Sequence, residues 1–370
     1  MPAPDQNKPN PNDPIVIDKF SGLRNTVSEE RLAPGELAAA VNVDIDDAGQ
    51  AHRRRGHHRV AAGAWHSVWE GEDATYGVKN QVLGVINPDY SFRPLVPVND
   101  DPIAYVQIDK TVYFTSETVA GKIVDGEVVP WGAPDGQNFW YSPVVNPSPT
   151  LPAIRGRLLG RPPLASCMTS YNGRIYMGSG RTVWATELYA YDYVDKTRNF
   201  WQFEGDITMI AAVTDGIYVG TNEGCYFVGG TLIEPKRMKI MDAAVIPRTA
   251  VFMPIEVGNP LLLQRNPNQN MTVSVAFLTS AGHCLGGDSG QCFNITEDRF
   301  IFPGAVRGAA LFRRQDGVNQ YVATIESEGD PAQSARFGDY VDAEIRRGGG
   351  SWNTLSGEFR MGDRVDAVLA

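Results

Sequence analysis

Four cysteines and five histidines are few for 370 residues, and no Cys-x-x-Cys occurs. Cys167, Cys225, Cys284 and Cys292 therefore make neither a disulfide scaffold nor a zinc framework of regular spacing. A basic excess is missing too: 33 Lys and Arg stand against 43 Asp and Glu, a net charge of −10. That balance excludes a dedicated nucleic-acid binder and predicts a surface that repels DNA. No apolar run approaches the roughly 18 residues of a membrane-spanning helix. The opening MPAPDQNKPNPNDP has no apolar core of a signal peptide and almost nothing to bury. Residues 1–14 are thus expected to be disordered, on a soluble chain folded in a reducing cytosol. Gly-rich phosphate loops, His-Glu-x-x-His and Gly-x-Ser-x-Gly are also lacking, and with them the chemistries they carry.

What remains is an apolar content of 42%, with 38 Gly and 25 Pro spread along the chain. Short strands and tight turns suit that distribution better than long helices. One short helix is expected, from Pro34 through Glu36, Leu37 and Ala38 to about Ala40, because proline is well placed at a helix start. Asp46-Asp47-Ala48-Gly49 reads as a turn between two strands. From about residue 64 a repeat emerges. TMIAAVTDGIYVGTNEGCYFVGG (208–230) aligns with TVSVAFLTSAGHCLGGDSGQCFNIT (272–296), matching Gly220 to Gly286 and Gly224 to Gly290. Looser copies are SCMTSYNGRIYMGSGRTVWATEL (166–188) and AYVQIDKTVYFTSETVAGKIVDGEVV (104–129), with Tyr113, Tyr176, Tyr218 and Cys284 as equivalents. AWHSVWEGEDATYGVKNQVLGVI (64–86) adds a further unit, and NQYVATIES (319–327) with DYVDAEIRR (339–347) supply strands for the last. The fold class this predicts is all-β: a β-propeller of five or six irregular blades over 63–370, behind an extended N-terminal arm over 1–62.

TSAGHCLGGDSGQC (279–292) carries two fragments of trypsin-like proteases, but His283 and Ser289 are only six residues apart. A hairpin with Gly286 opposite Gly290 puts their backbones about 13 Å apart, too far for a Ser–His hydrogen bond. The same hairpin places Cys284 opposite Cys292, as Tyr218 would stand opposite Tyr226. Two buried reduced thiols are the favoured reading, with a strained disulfide as the alternative in an oxidising medium. DIDDAG (44–49) opens like a calcium loop but has Ala48 and Arg55 where ligands are needed, so a turn is favoured. HRRRGHH (52–58) is the one strong basic cluster. Its Arg53, Arg54 and Arg55 are candidates for inter-subunit ion pairs, with phosphate contact as a minority reading, and His52, His57 and His58 are a weak metal signal. No catalytic residue, metal ligand or cofactor is assigned. The sequons at Asn270 and Asn294 mean little without a secretion signal.

FSGLRNTVSEERLAPGELAAAVNVDIDDAGQAHRRRGHHRV (20–60) resembles the opening of bacteriophage tail proteins, in which a Gly-Leu start leads to Pro-Gly-Glu, Val-Asn-Val-Asp, a glycine turn and paired arginines. DGIYVG, GGDSGQCFNIT and AEIRR are similar to the same group, the tail nozzle or packaged-DNA stabilisation protein of short-tailed phages. The resemblance implies a structural virion protein: a homohexameric propeller ring below the head-to-tail adaptor, contacting fibres, spikes or a needle. It would continue the channel for packaged DNA without reading its sequence, and would sit in the virion tail after assembly in the host cytoplasm. Alternatives are a propeller enzyme or glycan-binding module, or a hub or receptor-binding part of a longer-tailed phage.

Overall fold

A computed structural model describes residues 17–40, 43–45, 48–53, 59–132, 139–141, 157–253, 274–315 and 318–327. The chain begins with two small pairings, β1 (Gly22–Leu23) parallel to β2 (Glu36–Leu37), and β3 (Val43–Ile45) antiparallel to β4 (Ala51–Arg53). The first blade is β5–β8 (Trp65–Glu70, Thr75–Lys79, Val82–Ile86, Phe92–Pro97). The second is β9–β12 (Ala104–Ile108, Thr111–Thr115, Ala120–Val124, Glu127–Val129). A separate three-stranded sheet joins β13 (Phe139–Tyr141), β14 (Arg157–Gly160) and β18 (Val194–Asp195). The third blade is β15, β16, β17 and β19 (Cys167–Tyr171, Arg174–Ser179, Thr182–Ala185, Phe200–Gln202). The fourth is β20–β23 (Ile207–Val213, Gly216–Thr221, Gly224–Gly230, Pro235–Met241). The fifth is β24–β27 (Val251–Met253, Ser274–Thr279, Gly282–Gly286, Cys292–Asn294), and a long hairpin, β28 (Ala305–Gln315) with β29 (Val318–Ser327), packs on it. Each blade is an antiparallel sheet with its strands in chain order. This is an all-β propeller architecture with five four-stranded blades among the described residues.

Successive side chains of a strand point to opposite faces, so a strand between two blades must be apolar on both. The second strands show this. Tyr176 of β16 joins the core shared with the fourth blade, whereas its neighbours Ile175 and Met177 join the core shared with the second. On β21, Ile217 and Val219 face the third blade while Tyr218 faces the fifth. On β10, Phe114 packs with the first blade and Tyr113 with the third. Runs such as GIYVG are therefore continuously apolar because both faces are covered. Polar ends are satisfied across blades: Trp201 Nε1 donates to Leu232 O at 2.9 Å, and Trp131 Nε1 to Tyr191 O at 2.9 Å. Arg237 reaches from the outer strand β23 to Gln202 O of the third blade and lies over the Phe203 ring.

Several expectations need correction. The helix from Pro34 to about Ala40 is absent; Ala33 to Glu36 make a turn with Gly35 at φ +91°, and Glu36–Leu37 form β2. A Cβ at Gly35 would lie 2.3 Å from Lys19 O, so the turn is held against the chain before β1 and no helix can start there. The only helical piece among the described residues of the arm is a single 3-10 turn, Glu29–Arg31. Hairpin registers also differ. Tyr218 stands opposite Phe227, not Tyr226, because the β21–β22 turn holds just Asn222 and Glu223. Cys284 stands opposite Asn294, and Gly286 opposite Cys292, two residues from the expected register. The repeat is offset by a strand as well. Thr221-Asn222-Glu223-Gly224 and Thr279-Ser280-Ala281-Gly282 both join the second and third strands of a blade, and each threonine hydroxyl donates to the closing glycine carbonyl, at 3.0 and 3.1 Å. Cys284 thus lies on a third strand, while Tyr113, Tyr176 and Tyr218 lie on second strands. Strand 319–327 is present with a partner, 305–315, that the repeat did not indicate. The strand expected at 339–347 and the leader at 1–14 lie outside the described residues. The strands on either side of the expected 46–49 turn do pair with each other, and Gly49 has φ +80°, while Asp46 and Asp47 lie outside the described residues.

Tyr218 is fully buried, and its hydroxyl lies 2.6 Å from Gly287 O and 2.7 Å from Gln291 O of the fifth blade. Tyr218→Phe is expected to lower the unfolding free energy by about 1–2 kcal/mol, since the single hydroxyl proton shared by the two carbonyls is lost, although Gln291 O keeps the Gly287 N–H at 2.8 Å. A urea midpoint equal to that of the parent would contradict this account of the seam.

Candidate functional site

The loop 287–291, joining the third and fourth strands of the fifth blade, holds the Gly-Asp-Ser-Gly fragment. Its backbone is bent by Ser289 at φ +59° and Gly290 at φ +71°. A Cβ at Gly290 would lie 2.6 Å from Met238 Cε and 3.0 Å from the Phe227 ring, so the loop is seated on the fourth blade. Two aspartates complete a reciprocal clasp with the β20–β21 turn. Asp215 accepts from Ser289 N at 2.9 and 3.0 Å and from Ser289 Oγ at 2.8 Å. Asp288 Oδ1 accepts from Thr214 N at 3.2 Å.

His283 looks the other way. Its ring stacks on Tyr321 of the β28–β29 hairpin at 4.3 Å between centroids, and its Nε2 is buried without a hydrogen-bond partner among the described residues. Burial pushes its pKa down to about 4, so the imidazole is neutral at pH 7. Ser289 faces the fourth blade and donates to a carboxylate, whereas His283 faces the hairpin on the opposite side of the sheet. Among the described residues no histidine is in place to take the Ser289 proton, which is what the nucleophile of a triad requires. The fragment is a structural clasp. The Ser289 hydroxyl is itself one of the clasp bonds.

The thiols lie in the same seam. All four cysteines are free. Cys284 is buried, with Sγ 3.6 Å from Thr279 Oγ1 and 3.8 Å from Met241 Sδ, and Cys292 packs against the same cluster with Cys225. A hydrogen bond from Cys292 holds the Cys284 thiol below its ordinary range and raises Cys292. Burial raises Cys225 and pushes Cys167 up to about 12. Among the described residues no three His, Cys, Asp or Glu side chains are grouped to hold a metal ion, and no helix is long and apolar enough to cross a membrane.

The arm forms a second polar seam. Asn25 pairs like a strand neighbour with the segment after the fifth blade: its N donates to Arg299 O at 3.0 Å, its Nδ2 to Ile301 O at 2.7 Å, and its Oδ1 accepts from Ile301 N at 2.9 Å. Thr26 Oγ1 donates to Asp298 O at 2.6 Å, and Arg299 Nη1 to Ser21 O at 2.9 Å. Arg24 pairs with Glu36 at 2.9 Å, and the Ala33 N–H on the same carboxylate helps hold Glu36 below its ordinary pKa. Of the basic candidates, Arg53 is exposed at the end of β4, with exposed His52 beside it. Arg54, Arg55, His57 and His58 lie outside the described residues, as does the Asn270 sequon. Asn294 donates to Ala281 O and accepts from Thr296, so its amide is used within the fold. Neither seam was legible from spacing. Asp215 and Ser289 are 74 residues apart and Asn25 and Ile301 are 276 apart.

Asp215→Ala is expected to cost about 1 kcal/mol, a modest figure because the clasp is exposed to solvent. Its effect should overlap with that of Ser289→Ala, and the double variant in urea unfolding measures the coupling. Strict additivity would refute the clasp. His283 binds its proton near pH 6.5 when unfolded and near 4 when folded. Its contribution is therefore complete above about pH 6.5 and falls as pH drops to about 4, by roughly 3 kcal/mol. His283→Phe, which keeps the stack on Tyr321, should flatten that part of the stability profile. Parallel profiles would show that His283 is not the titrating group.

No family model matches the chain, and no curated protein sequence matches it. Solved structures do. BBS1N, crystallised in complex with ARL6DN, is similar over 75% of this chain and 78% of its own, at 9% identity and a TM-score of 0.40. The Pan2 WD40 domain of Neurospora crassa is similar over 72% of this chain and 73% of its own, at 8% identity and a TM-score of 0.37. The extracellular domain of a putative one-component system, BT4673 of B. thetaiotaomicron, is similar over 73% of this chain at 13% identity and a TM-score of 0.41; the matched region is 32% of that chain.

Proposed function

We propose that this chain is a structural virion protein: a tail nozzle of a short-tailed phage, assembled as a ring of copies that continues the DNA channel below the head-to-tail adaptor. The observation that carries the reading is the arm. The stretch that resembles the opening of tail proteins, 20–60, lies ahead of the first blade. Its described part is laid along residues 298–301 and ends in a hairpin whose Arg53 is exposed. An arm outside the blades that carries an exposed arginine, followed in sequence by two more, is a form suited to reaching a neighbouring copy or the adaptor and pairing with its carboxylates. The blades supply a stiff body, since each shares its apolar faces with the next. The acidic balance of the chain suits a channel wall that lets DNA pass without gripping it. In this role Arg53, Arg54 and Arg55 make inter-subunit contacts, and fibres, spikes or a needle attach to the ring.

Negative-stain imaging of purified virions with an antibody to this chain tests the reading. A sixfold ring labelled at the tail is expected, together with hexamers in native mass spectrometry of chain released from virions. Particles in which no component takes the label would overturn it.

A further inference from the structure

We propose that Cys284 and Cys292 are a reversible disulfide site, oxidised by a small-molecule disulfide such as glutathione disulfide. The register carries this. Gly286 stands opposite Cys292 and Cys284 opposite Asn294, so the two cysteines are diagonal neighbours on one face of the β26–β27 ladder. Both belong to the cluster between the fourth and fifth blades, around Tyr218, Phe227 and Met241. Diagonal Cα atoms lie about 7–8 Å apart, and a disulfide takes up to about 6.8 Å. The two sulfurs are already within hydrogen-bonding reach of each other, so the shift needed is small. Cys292 is the first residue of a three-residue strand, at the end of the loop 287–291. Access divides the roles: Cys292 is partly exposed and Cys284 is buried.

The exchange balances in two steps. Cys292, the more exposed of the two, must first give up its proton to solvent, a step slowed by the hydrogen bond it donates to Cys284. The thiolate then attacks the glutathione disulfide, forming a mixed disulfide and expelling one glutathione thiolate, which takes up a proton. The Cys284 sulfur then attacks the Cys292 sulfur, expels the second glutathione and passes its proton to it. The protein loses two electrons and two protons, and the oxidant gains them. The new bond closes the chain on either side of loop 287–291, whose carbonyls accept from Tyr218 and whose Ser289 is held by Asp215. Oxidation therefore fastens the clasp between two blades.

Folded protein is incubated with glutathione disulfide, unfolded in the presence of an alkylating reagent, and digested for peptide mass spectrometry. The expected product is a Cys284–Cys292 cross-linked peptide, lighter by two hydrogens, with Cys167 and Cys225 alkylated. Cys284→Ser should stop the reaction at a glutathione adduct on Cys292. The oxidised parent should unfold at higher urea than the reduced parent, and Cys292→Ser should show no such shift. Alkylation of all four cysteines, a lasting glutathione adduct on Cys292 in the parent, or a link involving Cys225 would each overturn the proposal.

Discussion

Everything in this fold depends on strands that must be covered on both faces. Ile217, Tyr218 and Val219 sit on three successive positions of β21, yet each is fully buried. Tyr218 is covered by the fifth blade and its two neighbours by the third. A lone blade would leave half of this surface in water, at a cost of about 25 cal/mol for each Å² of apolar area. Blades are consequently stable as a series, each acting as the lid of the one before. The β28–β29 hairpin continues that rule, covering Met253 and Leu285 with Phe312 and Tyr321.

Apolar faces alone do not fix how one blade is turned against the next, because such contacts have little directionality. Polar groups at the seams supply it. The Tyr218 hydroxyl between two carbonyls, the Trp201 and Trp131 indoles on carbonyls of neighbouring segments, and the Asp215–Ser289 pair each have one satisfied geometry. Misturning a blade would leave buried donors or acceptors without partners, which is costly. The residues that looked most like an active site are therefore among those that set the packing angle.

Strand content was legible because alternation of tyrosine with aliphatic residues, bounded by glycine turns, reports the two-faced burial directly. The position of each strand within its blade was not. TDG at 214–216 and TSAG at 279–282 look alike as words, but the first joins strands one and two of a blade and the second joins two and three. Thr221-Asn222-Glu223-Gly224 was the structural match, recognisable only through the threonine-to-glycine hydrogen bond. Registers failed by one or two residues because turn length, which sets them, depends on backbone conformations that glycine permits but does not announce. The helix at Pro34 failed for a tertiary reason: the close approach of Lys19 to Gly35. Long-range polar partners such as Asn25 with Ile301 leave no trace in local pattern at all.

The attachment of the arm near residue 300 has a mechanical consequence. A pull on the N-terminal end would not first meet the first blade, which follows the arm in the chain. The tension would meet the pairings of Phe20 with Gly49 and Ser21 with Gly35, then Asn25 and Thr26, which pass it into the segment beyond the fifth blade. The arm thus spreads a load between the two ends of the blade series.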